Sequence, residues 1–352
     1  MIEKFHELLN DIIENQLPDL HVSSGSAPTV RKHTGELEVV EAYGPVTVEE
    51  VYGLVRQMIG SVGYAAYIES KDADFSYAFK EHRFRVNAFH DVKGPGMAIR
   101  YIPTRIPNPE ELSIPKAVID MLHREKGLIL VTGPTGSGKS TTLASLVEYI
   151  NQNFKKHIIT IEDPIEFNLV SKNCLIHQRE VGTHTQSFLR AIKSSLREDP
   201  DVILVGEMRD PETMQAALTL AETGHLVLST LHTNDTVQSI DRIVDAFPAN
   251  QQGQVRVQLA MALTGVVSQV LLPRKDGKGR VVCREVLLNN DAVRSVVLRG
   301  LTHQLYSIIE LGSQEGMVLM DRYLEGLFMK GFISKDTFSS FVRDKDLIAQ
   351  HR

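Results

Sequence analysis

Cysteine is scarce: the 352 residues contain two, Cys174 and Cys283, more than a hundred positions apart and without a Cys or His partner at metal-ligand spacing. A zinc module and a disulfide framework are thereby excluded, leaving two reduced, buried thiols of the kind a cytoplasmic protein carries. Long apolar runs are missing as well, since no stretch approaches the roughly 18 consecutive residues of a membrane span. The segment from Met1 to Gln16 interrupts its apolar positions with Glu3, Lys4, Asp11 and Glu14, unlike a secretory signal. Neither export nor membrane insertion is expected. Positive charge is in deficit, with Lys+Arg 38 against Asp+Glu 44 and a net charge of −6. That balance argues against a surface that wraps nucleic acid and leaves room only for a local basic groove. Internal repeats and low-complexity tracts are absent too.

What is present suffices for a large core: 42% of residues are hydrophobic, and at roughly 150 residues per domain the length suggests two domains. Pro103, Pro107, Pro109 and Pro115 favour extended chain and mark a linker over 103–115. Before it, Phe5, Leu8, Leu9 and Ile12 repeat at helical spacing. Phe75, Tyr77 and Phe79, then Phe84, Val86 and Ala88, alternate at period two. Residues 1–102 therefore read as a small α+β domain with a hairpin. Over 116–352 short apolar runs alternate with amphipathic helices. The runs Leu128–Val131, His157–Ile161, Val202–Val205 and His225–Leu228 read as buried strands of a mostly parallel sheet, an α/β architecture. From Val255 onward the spacing reads as helical, with helices expected near Val255–Leu272 and Met317–Lys330.

Gly133, Pro134, Thr135, Gly136, Ser137, Gly138, Lys139 and Ser140, followed by Thr141, match the G-x-x-x-x-G-K-[ST] phosphate loop, with a strand before it and a helix after it. Gly136 and Gly138 let consecutive N–H groups converge on phosphate oxygens, and the helix adds its positive N-terminal end. Lys139 is expected on the β- and γ-phosphates of ATP and the Ser140 hydroxyl on Mg²⁺. Asp199 to Glu207 forms an apolar strand ending in a carboxylate, which places Glu207 beside the metal. Ligands in open α/β sheets lie outside the carboxyl ends of the strands. Thr160 to Glu166 leaves a third strand with three acids, and either Glu162 or Glu166 can orient an attacking water; spacing does not choose between them. His225 and His232 stand at the two ends of a fourth strand, with His232 the better placed to sense the γ-phosphate.

These four elements, in this order, resemble the secretion ATPase superfamily, and within it the type IV pilus retraction ATPases. The similarity extends to Gln178–Gly182, Leu196–Asp201, Gly312–Gly316, Asp19–Val22, Arg31 and Gly35–Leu37, although Pro18 stands where Ser is usual. The resemblance implies a PAS-like N-terminal domain, a RecA-like ATPase domain with C-terminal helices, and a homohexameric ring. It implies Glu166 as catalytic glutamate and Glu207 as the Walker B glutamate. In such a ring Arg83 and Arg85, on one face of a strand, with Arg100 behind them, would complete a neighbour's site, unless they are simply a solvated face. One departure falls at Ala292–Arg299, where the family pattern AIRNLIRE loses a charge at Leu298 and reverses one at Arg299. The family links this segment to pulling rather than to hydrolysis.

The implied function is a cytoplasmic Mg·ATP-driven motor. It would sit at the inner-membrane base through a platform protein and act on the pilin machinery, with no nucleic acid involved. Relatives that drive pilus assembly or type II secretion share the site but carry a four-cysteine insertion and a longer N-terminal region, which this chain lacks. An accessory retraction paralogue fits the same motifs. A nucleic-acid-dependent RecA-like motor would demand a basic channel.

Overall fold

The computed structural model describes residues 2–32, 36–102, 105–277 and 279–350. Pro103 of the proline-rich stretch and Gly35 of the N-terminal similarity lie outside the described residues. The chain forms two compact units, Met1–Ile106 with Pro164–Asn168, and Pro107–Asp163 with Leu169–Arg352.

In the first unit, helix α1 (Ile2–Glu14) buries Phe5, Leu8, Leu9 and Ile12, the stripe that its spacing dictates. Strands β1 (Asp19–Ser23), β2 (Thr29–Arg31) and β3 (Leu37–Val39) follow. Helix α2 (Val48–Ser70) starts from a capping box between Thr47 and Glu50 and breaks at Gly60, whose φ of 71° no helix accommodates. Strands β4 (Asp72–Phe79), β5 (His82–Asp91) and β6 (Gly94–Ile102) complete an antiparallel sheet ordered β3-β2-β1-β6-β5-β4. The β4–β5 hairpin that the alternation predicts is present, with Phe84, Val86 and Ala88 buried on one face.

The second unit begins with α3 (Lys116–Met121), β7 (Gly127–Thr132), α4 (Lys139–Asn153), β8 (His157–Glu162) and β9 (Leu175–Glu180). It continues with α5 (Phe188–Ser195), β10 (Val202–Val205), α6 (Pro211–Glu222), β11 (Leu226–Leu231) and α7 (Thr236–Asp245). With β12 (Leu263–Pro273) and β13 (Arg280–Leu288), its sheet runs β13-β12-β7-β11-β10-β8-β9, parallel except where the edge strand β13 meets β12. All residues of β7, β10 and β11 are buried, which a sheet achieves only with both faces covered. This is the mostly parallel α/β architecture expected from the alternation.

One expectation fails. The helix anticipated over Val255–Leu272 ends early, as α8 (Ala249–Ala262), and β12 (Leu263–Pro273) takes the rest, pairing with β7 and with β13 (Arg280–Leu288). The β-branched residues Val266, Val267 and Val270 favour the pleat. Gly265 sits at a register shift, where a Cβ would meet the Met121 Sδ at 2.5 Å and the Leu287 carbonyl at 2.7 Å. The chain closes with α9 (Asp291–Arg299), α10 (Leu305–Leu311), α11 (Met320–Met329), α12 (Lys335–Phe341) and α13 (Lys345–Gln350). Leu272, Cys283, Leu324, Leu327 and Phe338 form a smaller core under these last helices. No helix of the described residues is long and apolar enough to cross a membrane.

Candidate nucleotide site

Because β7, β8, β10 and β11 are parallel neighbours, their carboxyl ends share one edge of the sheet, and the chain leaves each of them carrying a residue of interest. From β7 it enters the phosphate loop. Gly133 has φ 145° and lies so near the next strand that a Cβ would stand 2.2 Å from the Gln269 carbonyl oxygen; only glycine fits. Gly136 and Gly138 also take positive φ, and Gly138 caps α4 in the left-handed region. Lys139 is 8% exposed, its ammonium donating to the carbonyls of Gly133 at 2.9 Å and Pro134 at 3.1 Å. Ser140 and Thr141 follow in the first turn of α4, both half-buried, while Pro134 and Thr135 are exposed. The Ser137 hydroxyl is buried with no hydrogen-bond partner among the described residues, an oxygen available to a polar ligand.

Gln269 escaped the sequence reading because its segment passed for helix. Its buried amide donates to the Ser137 carbonyl at 2.8 Å and accepts from the Thr142 hydroxyl at 2.9 Å, tying the loop and α4 to β12.

Glu207 follows β10 with its side chain 12% exposed. One carboxylate oxygen pairs with the Arg209 guanidinium, and the other lies 3.5 Å from His232 Nε2. Arg209, which the motifs did not flag, is held above its ordinary pKa by the hydrogen bond and charge of Glu207. The two sequence candidates Glu207 and His232 are thus brought together. His225 stands at the opposite end of β11, its ring against the Leu220 carbonyl at 3.0 Å, away from this edge.

The acidic loop separates its members. Glu162 ends β8 with its carboxylate accepting from the Thr160 hydroxyl at 2.6 Å and the Gln178 amide at 3.3 Å. Glu166, half-buried, lies in Pro164–Asn168, the segment that belongs to the first unit. Arg83 and Arg85 project from β5 in that unit. Arg83 donates to the Ser76 hydroxyl at 3.2 Å, and Arg85 grips Asp74, its closer nitrogen at 2.7 Å. Arg100, opposite Arg85 in the sheet register, pairs with Asp19 at 2.8 Å.

A glycine loop with positive φ values, a buried ammonium, a serine hydroxyl at the start of α4 and a carboxylate past β10 are residue types suited to a triphosphate with its cation. Comparison with known proteins agrees. The family model described as Type II/IV secretion system protein matches residues 72–312. The twitching motility protein of Neisseria gonorrhoeae is 46% identical over 310 residues, spanning 88% of this chain and 82% of that protein. The type IV pilus retraction ATPase PilT of Pseudomonas aeruginosa is 43% identical over 331 residues, or 94% of this chain and 95% of its own. A crystal structure of the pilus retraction motor PilT with bound ADP superimposes with a TM-score of 0.91 at 41% identity, covering 98% of each chain.

Proposed function

The chain belongs to the type II/IV secretion system family and is an ATP-hydrolysing enzyme of the pilus and secretion motors, and on that premise we propose that it withdraws type IV pili. In this reading six copies form a ring in the cytoplasm, held to the inner-membrane base by a platform protein, and each round of Mg·ATP hydrolysis helps to release pilin from the pilus. The observation that carries the reading is the meeting of Glu207 and His232 at the sheet edge that also bears the phosphate loop, in a chain alike over nearly its whole length to retraction motors.

Lys139 exchanges its carbonyl partners for oxygens of the β- and γ-phosphates, while the amides of Gly136 to Lys139 cradle the chain of phosphates. The Ser140 hydroxyl and the Glu207 carboxylate suit magnesium, a hard cation that takes one or two protein oxygens together with substrate phosphate. Held by these two residues, magnesium would supply charge neutralisation at the phosphate oxygens. Glu166 orients the attacking water and accepts its proton. It is preferred to Glu162, whose carboxylate is already engaged by Thr160 and Gln178. His232 senses the γ-phosphate and passes the signal to Glu207. Arg83 and Arg85 serve a neighbouring subunit's site, with Arg85 first leaving Asp74.

Deletion of the gene in the source organism, followed by imaging of surface pili and measurement of surface motility, tests the reading. Excess pili that do not retract are expected. Bald cells would assign the chain to assembly instead.

A further inference from the structure

The loop that carries His232 is held from behind by two buried carboxylates, and each of them also grips the C-terminal segment. Asp235, 0% exposed, caps α7 by accepting from the Gln238 N–H at 2.7 Å. Its second oxygen takes Arg343 Nη1 at 2.9 Å and the Tyr306 hydroxyl at 3.4 Å. The other arm of the Arg343 fork reaches the Asn234 carbonyl at 3.3 Å, two residues from His232. Glu285, 1% exposed, accepts from the Thr236 N–H at 2.9 Å and hydroxyl at 2.7 Å with one oxygen, and from the Met320 N–H at 3.2 Å with the other. The backbone N–H of Arg343 is anchored on Asp321 of α11, so the guanidinium is delivered by a fixed turn between α12 and α13 rather than by a loose tail.

The network continues into the phosphate loop. The Ser239 hydroxyl donates to the Asp235 carbonyl at 2.7 Å and lies 2.6 Å from the Thr233 hydroxyl and 3.2 Å from that of Thr132, the residue immediately before Gly133. An unbroken chain of buried polar contacts therefore runs from Arg343 through Asp235 to both the histidine loop and the end of β7. Arg343 has a side chain 46% exposed, whereas Asp235, the carboxylate it pairs with, has no contact with solvent. A buried carboxylate deprived of its cation reorganises its surroundings, because the lost charge partner cannot be replaced by water.

We infer that Arg343 is a positioning residue for the nucleotide site, acting through Asp235 to hold the loop that presents His232 to Glu207. The C-terminal helices are then part of the hydrolytic apparatus. The inference rests on the ATPase reading above and deepens it.

The test uses the full chain with Arg343→Met, Arg343→Lys and His232→Ala, and Arg343→Met combined with His232→Ala. Arg343→Met is expected to lower kcat for ATP by about tenfold to a hundredfold, with KM changed by no more than about twofold. Lysine, which restores the charge on Asp235 but not the fork to the Asn234 carbonyl, should recover part of the loss. The double variant should be no slower than the slower single variant, since both changes disable one loop. Hydrogen exchange of amides 232–239 reads the loop without turnover and should quicken in Arg343→Met. Wild-type kcat in folded Arg343→Met, multiplicative effects in the double variant, or unchanged exchange would each overturn the inference. Should Arg343→Met not fold, unaltered kcat and exchange in Arg343→Lys would do the same. A wild-type protein that fails to hydrolyse ATP would instead remove the functional reading, leaving the exchange result to decide the structural link.

Discussion

At the scale of the residue, Gly133 and Lys139 show how little freedom the phosphate loop has. A methyl group at Gly133 would collide with the Gln269 carbonyl in a backbone region that side chains avoid. Gly133→Ala is therefore expected to cost at least about 3 kcal/mol in chemical denaturation and to weaken nucleotide binding in the same protein. Lys139→Ala should leave the fold intact and abolish retention of ATP, measured by titration with a fluorescent nucleotide. The two cysteines are buried, and desolvation pushes both thiols up, Cys283 to about 12. Native protein at pH 8 should consequently resist alkylation by iodoacetamide until it is unfolded. The strand, turn and helix around the phosphate-loop motif and the placing of Glu207 and His232 at one sheet edge were legible, because such a motif needs particular residue types at fixed local spacing. Gln269, Arg209 and Arg343 were not. Gln269 acts on Ser137 from 132 residues away, and no local pattern announces a contact of that range.

At the scale of the element, the strands β7, β8, β10 and β11 were readable as apolar runs because burial on both faces removes polar alternation. β12 was not, since apolar runs fit helix and strand alike and the preceding α8 blends into it without a proline or a turn. At Gly265 the strand packs too closely against Met121 and Leu287 to carry a side chain. Gly265→Ala should destabilise the protein by about 2 kcal/mol, with part of that recovered by shrinking its neighbour in Met121→Ala. Helix α9 overlies the segment where the family pattern diverges, and its start is fixed by the Asn290 side chain accepting from the Val293 N–H at 3.0 Å. Asn290→Ala should cost about 1 kcal/mol by thermal or chemical denaturation. Leu298, 42% exposed, and Arg299 lie at the far end of that helix, so the divergent positions face outward rather than into the core.

At the scale of the whole molecule, one sheet is antiparallel and the other mostly parallel, and the matching change from period-two alternation to short apolar runs is visible in the sequence. The excursion of Pro164–Asn168 into the first unit was not legible, because five residues between two strands carry no periodicity of their own. That excursion takes Glu166 with it while Glu162 and Asp163 stay in the second unit. In the proposed function a carboxylate aims water at a triphosphate gripped by the phosphate loop. Single-turnover hydrolysis by the assembled protein, wild type against Glu166→Gln, with magnesium supplied, tests it most directly. The expected result is undiminished ATP binding by the variant and phosphate release slowed by about a hundredfold or more. Equal rates for the two proteins would contradict it.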